Sequence, residues 1–477
     1  MSGNATEQLL QRFRKSNEDT LLIDTATERV WTYGEVWAAA TKLVKDWRSK
    51  GATHGEAIAL MLPNGPGFIC SYLACFIGGF VAAPVNPELA DSDIEMILSL
   101  LHPALVIRET PLEDSGYEAT VPVENMNTDP DAVCSVFFTS GTTGLPKGVQ
   151  HSLNALVGNV SAFNKMTGLG QHTRMYHVLP MAYMAGFLNT VLSPVVAGGT
   201  VIIGPRFSPR TSLDFWTAAS RTGADSLWLT PSIAAALSKM ARESEQARTN
   251  AAGFTQVFCG TAPLHETVRR DFAETFAVDL QESYGTSELL LIAVQTREEA
   301  PLSTDAGRPL PGLKLQTRAD ADGNPELVLQ SPWASLGYMT VDRDVGIDAT
   351  PEGFFRTGDV GELRGGHLKI IGRIKDLIIR GGVNVAPLAV ENVLRELPGA
   401  SDVAVVGVPH PFWGEIIVAC LEAGPDAEPD SLAKEAQEQA RRRLTRSHQP
   451  DQIEVFNSLP RAVTGKVQKS LLRERLG

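Results

Sequence analysis

Short apolar runs at 57–62, 105–107, 200–203, 226–229 and 256–258 alternate with helical patterns of roughly 10 to 20 residues, and this rhythm rules out most architectures. Runs too short for helices, each followed by an amphipathic segment, predict an α/β fold of layered sheets covered by helices. The clearest helix start is Thr32-Tyr-Gly-Glu35, which has the spacing of a capping box ahead of an amphipathic run through Trp47, with Gly51 as its stop. Residues 67–85 are uncharged, mostly apolar and close to the length of a membrane span. Gly78-Gly79 and Pro84 interrupt them, so the expectation is a buried helix, a turn and a strand at 80–85.

At 477 residues the chain exceeds what one core organises, and about two or three domains are expected. The texture changes near Gly361. Residues 362–371 read as a hairpin, followed by strand candidates at 403–408 and 415–422 and helices at 386–397 and 431–446. The expected division is a large N-terminal domain, 1–373, of layered sheets and helices, and a small α+β C-terminal domain, 374–477. The net charge of −13 repels phosphate backbones, so neither nucleic acid nor stable membrane insertion is expected. Five scattered cysteines without a C-x-x-C pair predict reduced thiols, with no zinc site or disulfide framework. With the polar start of the chain, this predicts a cytoplasmic protein.

Chemistry concentrates in Thr139-Ser-Gly-Thr-Thr-Gly-Leu-Pro-Lys-Gly-Val149, directly after the apolar run 133–138. Gly141 and Gly144 let the main chain turn its N–H groups toward an anion. Thr139, Ser140, Thr142 and Thr143 add hydroxyl donors, and Lys147 adds a point charge. These are the parts of a polyphosphate cradle. The spacing is not that of a Walker A loop, because Gly148 follows Lys147.

Further along come Tyr284-Gly-Thr-Ser-Glu288, Arg356-Thr-Gly-Asp359, Gly372-Arg-Ile-Lys-Asp376 with Gly381-Gly382, and Pro460-Arg-Ala-Val-Thr-Gly-Lys466. Together, in this order and across nearly the whole chain, these motifs resemble those of the adenylate-forming superfamily of acyl-CoA synthetases, adenylation enzymes and luciferases. The resemblance implies an acid–thiol ligase using ATP, Mg2+ and CoA. A carboxylate is a weak nucleophile and the α-phosphorus of ATP is shielded by about four negative charges, so charge neutralisation and alignment are the main catalytic needs.

By the same resemblance, Lys466, Glu288 and Lys147 are catalytic, with Glu288 the magnesium ligand and Lys466 the lysine that reaches the reacting carboxylate from the small domain. The nucleotide would be held by the cradle, by Thr261, Ala262 and Pro263, by Tyr284, Gly285, Thr286 and Ser287, and by Asp359 and Arg373. Lys375 would be the hinge on which the small domain rotates, bringing first Lys466 and then Gly381 and Gly382 to the reaction, with Trp413 stacking on the CoA adenine.

The segment Leu179-Pro-Met-Ala-Tyr-Met-Ala-Gly-Phe187 resembles the family's pocket motif, but Ala182 and Tyr183 replace its usual Phe and His. No acid lies at 183–190, and burying an unpaired ammonium costs several kcal/mol, so α-amino acids are disfavoured. Tyr183, Met184, Phe187, Leu188, Trp228, Leu289 and Leu290 offer an apolar lining for an uncharged aliphatic, alicyclic or aromatic acid. The segment 446–450 lacks the Tyr-Lys pattern common in the family, which leaves Arg441-Arg-Arg443 and Arg446 as the visible basic cluster for CoA. Three readings stay open: a CoA ligase, an enzyme loading an acyl carrier protein, and a nucleotide-binding protein without ligase activity. A second copy of the chain, forming a homodimer, stays open as a further partner.

Overall fold

The computed structural model describes residues 5–110, 112, 129–140 (Ser140 for its backbone), 146–241, 244–300, 305–320, 323–340, 345–425, 427–461 and 467–477. The capping box forms: Thr32 Oγ1 accepts from the Glu35 amide at 3.1 Å and Glu35 Oε2 from the Thr32 amide at 2.7 Å. It starts the helix Tyr33–Ser49, which buries Val36, Trp37, Ala40, Leu43 and Trp47. The apolar run is the buried helix Pro66–Gly78, closed by Gly79 at φ +71° and followed by the strand Val81–Pro84. No helix among the described residues is long and apolar enough to cross a membrane.

Two sheets carry most of the N-terminal domain. In one, Gln281–Thr286, Gln256–Cys259, Ser226–Leu229, Arg174–His177, Thr200–Ile203 and Thr20–Asp24 run parallel in that order. In the other, Leu105–Ile107, Ala57–Leu60, Val81–Pro84 and Val133–Ser140 are parallel, and Pro146–Ser152 and Gly337–Met339 add antiparallel strands at one edge. Strands covered on both faces need continuous apolar side chains, which is why the short runs lack alternation. A main cluster joins the helices Tyr33–Ser49, Pro66–Gly78 and Leu153–Thr167 to both sheets.

The hairpin expected at 362–371 is the pair Phe355–Arg364 and His367–Arg373, which closes a third sheet with Pro325–Gln330 and Lys314–Ala319. Beyond it a separate C-terminal domain forms a fourth sheet around Ala400–His410 and Gly414–Ala423 with its own apolar cores. Two helix bounds differ from expectation. The first is Pro387–Leu394, shorter than 386–397, because Pro398 follows and disfavours helical backbone before it. The second is Pro429–Arg443, starting earlier than 431 because the Glu428 carboxylate caps Ser431 N at 2.8 Å with Pro429 at the first turn.

Candidate active site

The two ends of the cradle segment lie in strands. Thr139 pairs with Lys147 across the antiparallel strands Val133–Ser140 and Pro146–Ser152. Gly141, Thr142, Thr143 and Gly144 lie outside the described residues, as does Lys466. Gly148 sits between two neighbouring strands. A Cβ there would lie 2.6 Å from Val136 Cγ1 and 3.3 Å from Met339 Cβ, so the edge strand seats against Pro146–Ser152 only because residue 148 has no side chain.

Glu288 is presented by a tight turn between the strands Gln281–Thr286 and Leu290–Val294. The Thr286 hydroxyl accepts from Leu289 N at 3.1 Å, and Leu290 adopts φ +61° to re-enter the sheet. Gly285 completes the turn, since a Cβ there would lie 2.3 Å from the Leu290 carbonyl oxygen. Neighbouring carbonyls are pinned: His151 Nε2 donates to Ser287 O at 2.8 Å and Ser335 N to Glu288 O at 2.7 Å. The Glu288 carboxylate accepts from the Tyr338 hydroxyl through Oε1 at 3.0 Å, while Oε2 has no protein donor among the described residues. A half-buried carboxylate with one oxygen anchored and one open is a chemically suitable ligand for a hard divalent cation.

Tyr284, Asp359 and Arg373 converge from three strands. The Tyr284 hydroxyl donates to Asp359 Oδ2 at 2.5 Å and Arg373 Nε to Asp359 Oδ1 at 2.9 Å. Asp359 and Arg373 are register partners on the Phe355–Arg364 and His367–Arg373 strands. The Asp359 side chain is 3% exposed and that of Arg373 44%, so a buried anion is fixed beneath a cation that faces outward. Burial and the adjacent Asp359 push the Tyr284 phenol well above its ordinary range and keep it a neutral donor. Beside them, a Cβ at Gly260 would lie 2.4 Å from Ser283 Oγ, and exposed Thr261 is held at φ +73°. Strained backbone next to a buried charge network is common where a ligand seats. Half-buried Ala262 and exposed Pro263 follow.

Of the acyl-lining candidates, Phe187, Leu188, Trp228 and Leu290 are buried in the main core and Met184 packs against it. Leu289 belongs instead to a cluster with Leu327 and Leu329. Tyr183 is half-buried, its hydroxyl accepting from Asn86 Nδ2 at 3.3 Å. The segment folds back sharply, for a Cβ at Gly186 would lie 2.0 Å from the Pro180 carbonyl oxygen. Beneath it, His177 Nδ1 lies 2.6 Å from Thr190 Oγ1 and Nε2 lies 3.0 Å from Asn64 Nδ2, while Asn64 holds Leu179 O and Met181 N.

In the C-terminal domain, Gly381 donates its N–H to Trp413 O at 2.8 Å and has φ +57°; Gly382 has φ +82°. Trp413 is 41% exposed, with the Arg380 guanidinium 5.1 Å from its ring centroid. A cation at this tryptophan is Arg380, which stands outside the basic cluster and is itself ion-paired with Asp451, its Nε 2.8 Å from Oδ2. In the basic cluster proposed for that role, Arg443 is ion-paired with Glu396. Lys375 lies in the short 3-10 turn Ile374–Asp376 between the domains. The domains touch where His265 Nδ1 lies 2.5 Å from Asn392 Oδ1 and 3.2 Å from Arg395, and where Asn384 donates to Asn324 at 2.8 Å. Tyr338, bonded to the Glu288 carboxylate, stands in none of the motifs quoted above.

The Tyr284–Asp359–Arg373 clamp and the open oxygen of Glu288 thus sit on layered sheets that are followed by a small second domain. The chain belongs to the family described as AMP-binding enzymes, which matches residues 9–339, and the C-terminal domain of that family matches residues 389–466. It is 29% identical to a long-chain-fatty-acid–CoA ligase of Mycobacterium tuberculosis, over 98% of this chain and 97% of the relative. It is also 29% identical to a sulfoacetate–CoA ligase of Cupriavidus necator, over 92% and 91%. The fold matches ATP-bound MatB from Rhodopseudomonas palustris with a TM-score of 0.86 at 22% identity, covering 99% of both chains.

Proposed function

We propose that this enzyme activates an uncharged hydrophobic carboxylic acid with ATP to an acyl-adenylate and transfers the acyl group to CoA, releasing AMP and pyrophosphate. The observation that carries the reading is the Tyr284–Asp359–Arg373 clamp, which offers carboxylate oxygens for ribose hydroxyls and a guanidinium for a phosphate. Lys147 and the cradle hold the outer phosphates. Glu288 would hold magnesium through its open oxygen, and the ion would supply charge neutralisation at the phosphates. Lys466 steadies the reacting carboxylate, and Gly381, Gly382 and Trp413 receive CoA once the domain 374–477 turns about Lys375 on the domain 1–373.

Relatives of equal identity are named for a long-chain fatty acid and for sulfoacetate, so identity does not choose the acid. The residue types of the candidate lining favour one class, although Phe187, Leu188, Trp228 and Leu290 pack within the main core. None of Tyr183, Met184, Phe187, Leu188, Trp228 and Leu290 carries a charge to meet a second anionic group.

The test is a carboxylic-acid panel with MgATP and free CoA, scored for pyrophosphate and thioester. Aliphatic or aromatic monoacids are expected to give both, with dicarboxylic and sulfonated acids poor. Pyrophosphate without thioester would replace CoA by a carrier protein, and neither product from any acid would leave nucleotide binding alone. Lys466→Ala is expected to remove most pyrophosphate release while sparing thioester formation from supplied acyl-adenylate, because its charge serves one domain orientation. Equal loss of both half-reactions would refute the two-orientation mechanism.

A further inference from the structure

Tyr338 stands between the two charged groups assigned to phosphate and metal. Its hydroxyl donates to Glu288 Oε1 at 3.0 Å, and the Lys147 ammonium lies 5.8 Å from its ring centroid, within the reach of a cation–π contact. Among the described residues no ion pair engages Lys147 or Glu288, although both flank this one ring. The backbone that carries the ring is held on both sides. Tyr338 is paired with Val149 on the strand that carries Lys147, and on its other side its N–H and carbonyl bond Val345 at 2.7 and 2.8 Å. Leu336 N bonds Gln150 O at 2.8 Å and Ser335 N bonds Glu288 O at 2.7 Å, so the same short segment also grips the backbone of the turn that presents Glu288.

We infer that Tyr338 is a positioning residue that anchors one oxygen of Glu288 and spaces that carboxylate from Lys147, keeping its second oxygen aimed at the metal and the lysine available for phosphate. This rests on the reading of Glu288 as the magnesium-facing carboxylate. A free glutamate side chain samples many rotamers and must be ordered when the ion binds, whereas one already tethered by a neutral phenol has part of that ordering done. The spacing matters equally, since a lysine closed onto Glu288 would withdraw both groups from the nucleotide.

Tyr338→Phe keeps the ring and removes only the donor. Calorimetric titration of ATP at graded Mg2+ concentrations should show its magnesium requirement raised roughly tenfold or more, the range for losing one hydrogen bond to a charged group. At saturating Mg2+ its ATP affinity should return to within about twofold of wild type, because Lys147 still sees the same ring. The KM for the acid should not move. Glu288→Gln and the double variant complete the cycle, and the double variant should be no worse than Glu288→Gln alone. If Glu288→Gln raises the requirement and Tyr338→Phe matches or falls below wild type, the positioning role is refuted while Glu288 keeps its assignment. An undiminished Tyr338→Phe effect in the Glu288→Gln background would also refute it. If Glu288→Gln itself leaves the requirement unchanged, the metal assignment is wrong and the role of Tyr338 falls with it.

Discussion

Asp359 receives donors from Tyr284 and Arg373, residues 75 and 14 positions away, and is almost fully buried while doing so. A buried carboxylate is stable only when its oxygens are engaged, and here Tyr284 and Arg373 engage one oxygen each. Asp359→Asn conserves shape but replaces one acceptor oxygen by a donor and leaves Arg373 without its countercharge. Charged hydrogen bonds of this type contribute about 1.5–3 kcal/mol, so the KM for ATP is expected to rise roughly tenfold or more. Steady-state kinetics at saturating acid checks this, and an unchanged KM would remove the clamp from nucleotide binding. The motif around Asp359 was visible as residues. That its carboxylate lies under Tyr284 was not, because the contact joins separate sheets.

At the scale of single elements, two turns do work that their sequences only partly disclose. Gly381 combines φ +57° with a ring carbon of Trp413 2.9 Å from where a Cβ would stand. Gly381→Ala therefore meets left-handed backbone strain of about 1 kcal/mol and displaces the indole. The expected outcome is a several-fold higher KM for CoA with pyrophosphate release unchanged. Parallel assays of the two half-reactions measure it, and equal loss in both would make the hairpin a general structural element. The paired glycines advertise a turn in any reading of the chain, but nothing local announces that Trp413 packs against it beside the Arg380 guanidinium. The turn bearing Glu288 is similar: Gly285 is legible, whereas the positive φ of Leu290 is imposed by the strand it re-enters.

Across the whole molecule, burial keeps three histidines neutral. His151 and His265 are lowered to about 4 and His177 to about 3, each chiefly by desolvation, with Arg395 adding repulsion at His265 against the partial offset of Glu391 and Asp402. A histidine whose folded value lies below its unfolded value near 6.5 stabilises the fold above that pH, and the contribution is lost as the pH falls toward the folded value. For fully buried His151 the loss at pH 5 is on the order of 2 kcal/mol. His151→Gln can still donate to Ser287 O and cannot take up the proton, so its melting temperature should fall less between pH 7 and pH 5 than that of wild type. Identical falls would show that His151 does not titrate in this window. At His265 the same protonation also acts on the contact between the domains, through Asn392 and Arg395.

What could be read along the chain was whatever depends on near neighbours or on side-chain chemistry. The capping box at Thr32, the helix and strand within 67–85, the hairpin before the second domain, and the residue types of the clamp and cradle are all of this kind. Strand order and register decided the rest. They set Tyr338, which stands in no motif, between Lys147 and Glu288, placed Arg380 over Trp413, and sent Leu289 into a different cluster from Leu290. Such neighbours are selected by the packing of whole sheets, because the free energy that brings them together is spread over the cores and is not carried by the residues that meet.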